Sequence, residues 1–504
     1  MSLSKSEKQK KVFLSLLLYS FFLLLFISMD SYLQDMIRKC DSTYFYMCGK
    51  AWMNGMIPYQ DFSDSKGPLL WLLYGIGYLL SPRSMVGVFW VSSIWYGVVF
   101  FIVYKSSRIF LDTRLSVMVA VLMSISFFLS AVHKEVRAED FCQLFIVWSI
   151  YEGISLICEN INVKKAFFCL GICFAGTLLI KFTIAAMIGS VALYVFVYSI
   201  KRKESLWQMC LYFLLGFIVL TLPFVVYFLS VGALQTFIDE YFLKTFLTTY
   251  NVPGLTYGDK LINAMVSPNK LLMVVPAVVG LVFFFLQEKK AGTFFLFVFI
   301  CFFIIANMGN NMAPTYYQVL SVFWMPGLLY LLNKYGHSKY VIYAKRNLPL
   351  FACLIGLLVV GMSYSTHFRR EQSFLVDSEC RQNFHRVTFV MKQVDNPRIL
   401  YYGTPNTGYD VPVGGLPACR YWAAQIGATD DMKNNQQIAL ETQAADFVLI
   451  NRNDKETAAI LRKLGYTDYP RLNPSDYQAM FSKRKLTSPT ANYHYSSLDV
   501  LERK

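Results

Sequence analysis

DSTYFYMCGKAWMNGMIPYQDFSDSKGPLL, residues 41–70, is where the chain first stops being apolar. It follows the run VFLSLLLYSFFLLLFISM, residues 12–29, which is about long enough to cross hydrocarbon and is preceded by Lys5, Lys8, Lys10 and Lys11. No small-residue cleavage site follows that run, so it reads as a first membrane helix and not as a signal peptide. The stretch after it then sets Asp41, Asp61, Asp64 and Lys66 among Tyr44, Phe45, Tyr46, Trp52, Tyr59 and Phe62. Charge collected at the far end of a membrane helix points to work done at the membrane surface.

Composition supports that reading. Of 504 residues, 55% are hydrophobic, 17% aromatic and 16% charged, which is more apolar surface than a soluble domain buries. Further apolar runs lie near 85–104, 115–132, 141–158, 166–180, 182–200, 207–229, 271–286, 292–308, 316–332 and 347–364, so about eleven spans are expected. The net charge of +15 sits in short basic groups between those runs, where it meets anionic lipid and sets orientation. It speaks for a bilayer and against nucleic acid.

The basic groups fall on alternate connections. With the N-terminus in the cytoplasm, Lys105, Arg108 and Arg114, then Lys164 and Lys165, Lys201 to Lys203, Lys289 and Lys290, and Lys334 to Arg346 all share its side. The opposite side receives residues 30–84, 133–140, the neighbourhood of Lys181, 230–270, 307–315 and everything after about 365. An odd number of spans exports the C-terminus, so residues 1–364 are expected to be the membrane domain and 365–504 an extracytoplasmic unit. In that unit β-like runs at 398–402 and 446–450 alternate with charged helical stretches and Gly/Pro turns, the pattern of a small α/β domain.

Among the cysteines, 142, 158, 169, 173, 210, 301 and 353 lie in or beside spans and read as small buried hydrophobes. Cys40, Cys48, Cys380 and Cys419 are on the exported side, where a Cys40–Cys48 or Cys380–Cys419 bridge is open. No CxxC or Cys/His metal spacing occurs.

The first exported loop, 30–84, reads Asp41, Tyr44, then Gly55, Pro58, Tyr59, Asp61, Phe62, then Asp64, Lys66, Gly67, Pro68 and Leu69. In this it resembles the GT-C glycosyltransferases, polytopic enzymes that take a sugar from a polyprenyl-phosphate carrier. HKEVRAEDF in the second exported loop looks like the family's Arg-x-acid element, and GTLLIKFTIAA like its lysine at a short exported turn. YYGTPNTGYDVPVGGLPACRYW is similar to the exported tails of bacterial members. The resemblance implies a bacterial inner-membrane enzyme with a GT-C membrane domain and a small exported α/β domain. Its partners would be a polyprenyl-phosphate sugar and a cell-envelope glycan or glycolipid acceptor.

Carried onto these positions, the family's chemistry makes Asp41 the base for an acceptor hydroxyl. Lys66, Arg137 and Lys181 hold the departing phosphate, whose negative charge grows as the bond breaks. Asp64 and Glu139 either hold a divalent cation, magnesium or manganese, or orient those basic groups; Arg137 and Glu139 also read as a helix-end ion pair. Tyr44, Tyr59, Tyr316, Tyr317, Tyr409 and Arg420 are candidates to line a substrate pocket, with interfacial aromatic packing as the alternative for Tyr316 and Tyr317. ALQTFIDEYFLKTFLTTYN, residues 233–251, reads as an amphipathic exported segment that either gates the lipid entrance or covers the bundle.

The chain departs from that family's pattern in two places. Ser65 stands where the lipid A aminoarabinose transferases have Glu before the lysine, and no histidine occurs between His133 and His337, which leaves metal dependence open. The larger exported domain of protein O-mannosyltransferases is not found, which disfavours a protein acceptor. Three other readings compete: an O-antigen ligase or polymerase using pyrophosphate-linked donors, a flippase for lipid-linked saccharides, and a non-catalytic assembly subunit.

Overall fold

The computed structural model describes residues 4–33, 41–129, 135–159, 161–250, 256–308, 314–376, 378–424, 429–451, 453–469 and 478–484. Helix α1 (Lys5–Ile27) starts on a capping box in which the Ser4 hydroxyl accepts from Glu7 N and the Glu7 carboxylate from Ser4 N. Leu14, Leu18, Phe22 and Phe26 recur at helical spacing and stay exposed, the stripe a lipid-facing helix shows. Its other face, with Leu16, Leu23 and Leu24, is buried and packs on α4 (Val86–Ser107).

Between them come two short helices, α2 (Asp41–Met53) and α3 (Pro68–Leu80). At 13 residues each, they reach only about 20 Å, too short to span. Nearly all of α2 is buried, from Ser42 to Ala51, with Asp41 exposed at its start.

The remaining membrane helices are α5 (Thr113–Phe128), α6 (Ala138–Glu159), α7 (Val163–Ile180), α8 (Phe182–Lys201) and α9 (Leu206–Ser230), then Pro268–Gln287 and Lys289–Ala306. Helices α7 and α9 touch backbone to backbone. A Cβ on Gly171 would stand 2.0 Å from Phe213 O, and one on Gly216 would stand 2.0 Å from Phe168 O, so only glycine permits this crossing.

About eleven spans are expected from the sequence. Among the described residues eight helices are long and apolar enough to cross, or nine if Lys339–Arg346 and Leu348–Ser363, bent by 99°, count as one span. The expected span at 115–132 is α5, of 16 residues and so about 24 Å long. The expected span at 316–332 is broken into a 3-10 helix, Pro314–Phe323, and an α-helix, Trp324–Tyr335. Helix Leu348–Val376 also runs through the expected boundary at 364/365.

The C-terminal part is a five-stranded sheet of order β2-β1-β3-β5-β4, with β1 Arg398–Tyr401, β2 Leu416–Pro417, β3 Phe447–Asn451, β4 Thr467–Asp468 and β5 Gln478–Ser482. β1 pairs parallel with β2 and β3, and β5 is antiparallel to β3 and β4. Leu400, Val448 and Ile450 turn to one face, where Leu440 and Leu461 of helices Asp430–Glu441 and Lys455–Lys463 cover them. Ile399, Tyr401, Phe447 and Leu449 turn to the other and join the core continuous with the helical bundle. Strands buried on both faces read as unbroken apolar runs, which is why 446–450 shows no alternation.

This unit docks on the first loop. Trp422 stacks on Tyr44, with centroids 4.7 Å apart. Ser63 N donates to Arg420 O and Arg420 Nε to Gln60 O, both at 2.9 Å. At the same junction Lys50 and Asp410 are buried, and among the described residues Lys50 Nζ and Asp410 Oδ2 have no hydrogen-bond partner. Burial pushes the Lys50 amine down to about 8 and the Asp410 carboxyl up to about 6, while each charge opposes the shift of the other.

Candidate active site

The first loop carries its own scaffold. Asp61 Oδ2 accepts from Ile57 N at 2.6 Å, and Tyr59 N donates to Phe62 O at 2.7 Å. Tyr59 has a φ of 68°, unusual for a bulky residue. It is held there by a fully buried ring against Trp71 and by its hydroxyl, which donates to Lys66 O at 2.9 Å. The loop therefore presents Lys66 from a fixed backbone. Lys66 Nζ is 2.8 Å from Ser65 Oγ and 3.9 Å from Asp64 Oδ2, and lies over the Phe45 ring.

The second cation comes from the turn before α6. Arg137 N donates to Asp140 Oδ2 at 2.8 Å, which closes the helix start. The Arg137 guanidinium clasps the buried Glu135, with Nε 2.6 Å from Oε1. Glu135 Oε2 in turn accepts from Ser42 N at 3.1 Å, which ties this turn to the residue after Asp41. Burial raises the Glu135 carboxyl, while its charge and that of Asp41 keep the Arg137 guanidinium protonated. Asp41 is thus exposed at one end of α2, within electrostatic reach of an arginine already engaged on its other side.

The third cation breaks two spans. α7 ends at Ile180, α8 begins at Phe182, and Lys181 between them is extended (φ −153°, ψ 99°). An unpaired lysine so deep among apolar sequence is costly. Here it is paired with Glu139 of α6, and its Nζ lies 4.0 Å from the Tyr316 ring centroid. Glu139 is also within electrostatic reach of Lys66 and Arg137. Asp41, Asp64, Lys66, Arg137, Glu139, Lys181 and Tyr316 therefore form one network at a single end of the bundle.

The other expected pocket residues are engaged in packing and structural hydrogen bonds. Tyr44 donates to Ser63 O at 2.9 Å and stacks on Trp422. Arg420 sits at the docking edge of the C-terminal unit, and Tyr59 is a buried strut under Lys66. Tyr317 is buried, with its hydroxyl on Asn307 Oδ1 at 2.6 Å; Tyr409 is buried and stacks on Phe384. Cys48 and Cys419 are free thiols; Cys40 and the side chain of Cys380 lie outside the described residues.

Two roles are open for Asp64 and Glu139, ligand of a divalent cation or orienting partner of a basic group. Each faces a lysine, and among the described residues no group of three His, Cys, Asp or Glu side chains converges as metal ligands. Asp64 stands beside Lys66 and Glu139 beside Lys181, as orienting partners would; one or two carboxylates together with a donor phosphate would also suffice for magnesium.

Sequence reading missed Glu135 and Asp140. Asp140 accepts from Tyr96 and, at 2.7 Å, from Gln318 Nε2, joining α6 to α4 and the 3-10 helix. The signal was present: three acids flank one arginine in EVRAED. Which of them faces which partner is fixed by contacts distant in sequence.

Residues 65–228 match the family model described as dolichyl-phosphate-mannose-protein mannosyltransferase. That range holds Lys66, Arg137, Glu139 and Lys181 but not Asp41 or the C-terminal unit. Among solved structures the chain is similar to ArnT from Cupriavidus metallidurans in the apo state, at 11% identity and a TM-score of 0.63 over 95% of this chain and 99% of that one. It is similar also to ArnT bound to undecaprenyl phosphate, at 11% identity and a TM-score of 0.61 over 94% and 97%. A looser likeness, TM-score 0.47 at 13% identity over 94% of this chain and 73% of the other, is to the Archaeoglobus fulgidus oligosaccharyltransferase. No curated protein sequence matches the chain. The chain has the membrane fold of the GT-C glycosyltransferases.

Proposed function

We propose that the chain is a glycosyltransferase that moves a sugar from a polyprenyl-phosphate carrier to a hydroxyl of a cell-envelope glycan or glycolipid, with inversion at the anomeric carbon. The observation that carries this reading is that three cations, each with a carboxylate partner, are linked through Glu139, and one of them, Arg137, lies within electrostatic reach of the exposed Asp41. Asp41 takes the proton of the acceptor hydroxyl while its oxygen attacks the anomeric carbon. The bond to phosphate oxygen breaks with its electron pair, and Lys66, Arg137 and Lys181 meet the charge released. The fold shared with ArnT, one structure of which holds undecaprenyl phosphate, supports a carrier of that class here.

Identifying the lipid that co-purifies with the full chain by mass spectrometry tests the donor. A polyprenyl-phosphate sugar, or transfer from a synthetic one with release of polyprenyl phosphate, is expected. A pyrophosphate-linked oligosaccharide would move the chain to the ligase or polymerase class.

This reading puts the site on the exported face of a bacterial inner membrane, with the N-terminus cytoplasmic, as the basic connections suggest. Asp430→Cys, on an exposed helix of the C-terminal unit, is then expected to react with a membrane-impermeant maleimide in cells whose outer membrane has been permeabilised. Tyr340→Cys, 73% exposed, should react only after the inner membrane is broken. The reverse pattern would put the whole site on the wrong side.

A further inference from the structure

We propose that Tyr241 is a positioning residue that holds Lys181 and Lys66 in register through its hydroxyl; this rests on reading the two lysines as phosphate-binding cations.

A break between two spans leaves backbone groups without helical partners. At the α7–α8 break Lys181 N donates to Thr177 O at 2.8 Å. Ile180 O accepts from Gly67 N at 2.9 Å, a bond from the residue directly after Lys66. The Tyr241 hydroxyl serves two more groups: it donates to Leu178 O at 2.6 Å and accepts from Phe182 N at 2.9 Å. A phenol can do both at once, so one side chain closes the break on both sides of Lys181.

The same hydroxyl lies packed against the Lys66 loop. A Cβ on Gly67 would stand 2.8 Å from Tyr241 Oη and 2.1 Å from Leu179 O, so the loop meets the break backbone to backbone. The fully buried Tyr241 ring stacks on Phe237 and stands edge-on to Phe182. It lies 6.1 Å from Tyr59, whose own hydroxyl holds Lys66 O. Two neighbouring tyrosines thus each fix the backbone of one lysine.

Tyr241 sits in a π-helical segment, Ile238–Lys244, a widened turn often found at functional sites. The residue before it, Glu240, is bound from another direction: the Tyr421 hydroxyl donates to Oε1 and Oε2 at 2.7 and 2.6 Å, Ser63 Oγ lies 3.0 Å from Oε2, and Arg420 is 3.6 Å away. The C-terminal unit therefore grips the segment, and the segment holds the lysines. This gives residues 233–247 a task beyond covering the bundle.

Tyr241→Phe removes the hydroxyl and keeps the ring. Phe237→Leu, which loosens the stack and leaves the hydroxyl, is the packing control. Both full-length variants and wild type are placed in nanodiscs. Hydrogen exchange is read over residues 176–186 and 62–70, and the affinity for undecaprenyl phosphate is measured by native mass spectrometry. Tyr241→Phe should speed exchange at the Phe182 amide, weaken undecaprenyl phosphate binding about tenfold, and melt no lower than Phe237→Leu. Phe237→Leu should melt lower and bind as wild type. If wild type binds and Tyr241→Phe binds equally well, or if Phe237→Leu loses binding to the same degree, the inference falls alone. A wild-type chain that does not bind undecaprenyl phosphate overturns the phosphate reading, and this inference with it.

Discussion

Asp41→Asn is expected to lose about 10²–10⁴-fold in transfer rate while keeping the fold and the affinity for the lipid donor, because positioned base catalysis is typically worth that much. The substitution is nearly isosteric and removes only the ability to take a proton. Asp41 is exposed at the start of α2, where Asn remains well tolerated and the lost charge–dipole term is about 0.3–1 kcal/mol. Stability therefore barely moves, and lost activity is not lost folding. One base and one displacement also fix the stereochemistry, since no second carboxylate need form a covalent glycosyl intermediate. The product's anomeric configuration, read by NMR, should be opposite to the donor's. Near-normal transfer by Asp41→Asn, or retained configuration, would assign the base to another residue or the reaction to another mechanism.

How much of this was readable in advance depends on the range of the contacts involved. The loop 41–70 announced itself because its signals are local: Pro58, Asp61 and Gly67 act within a few residues, and a run such as DFSDSKGP has few apolar explanations. Lys181 was visible because a charge interrupts two apolar runs at once. Span number was less legible, since hydropathy measures apolarity and not straightness. Residues 316–332 are apolar enough, yet their first half winds as a 3-10 helix whose Gln318 is drawn to Asp140 of α6. Tyr59 and Tyr241 illustrate the other limit. In sequence each is one aromatic among many, and only the fold shows which carbonyl each hydroxyl reaches, from Lys66 in one case to Leu178 in the other. Glu135 and Glu139 are likewise indistinguishable by type; one is spent on Arg137 and Ser42, the other on Lys181.

The Lys181–Glu139 pair should separate stability from activity. Lys181→Ala leaves the buried Glu139 without its partner, which typically costs about 3–5 kcal/mol. The single variant should therefore both melt lower and fail to transfer, an outcome that by itself says nothing about a phosphate. The double variant Lys181→Met with Glu139→Gln removes both charges and keeps the side-chain volumes. Replacing a buried ion pair with neutral groups of similar shape is often neutral or better for stability, so melting should return close to wild type. Transfer should not return, because methionine offers no cation to the departing phosphate, and a charge-assisted hydrogen bond of about 1.5–3 kcal/mol is gone. That predicts donor affinity lower by about 10- to 10²-fold in a fully folded protein. Lys66, paired less closely with Asp64 at 3.9 Å and partly exposed, makes the contrast: Lys66→Ala should lose donor affinity with little change in melting. If the double variant regains transfer along with its stability, Lys181 serves only to neutralise Glu139, and the phosphate must be held by Lys66 and Arg137 without it.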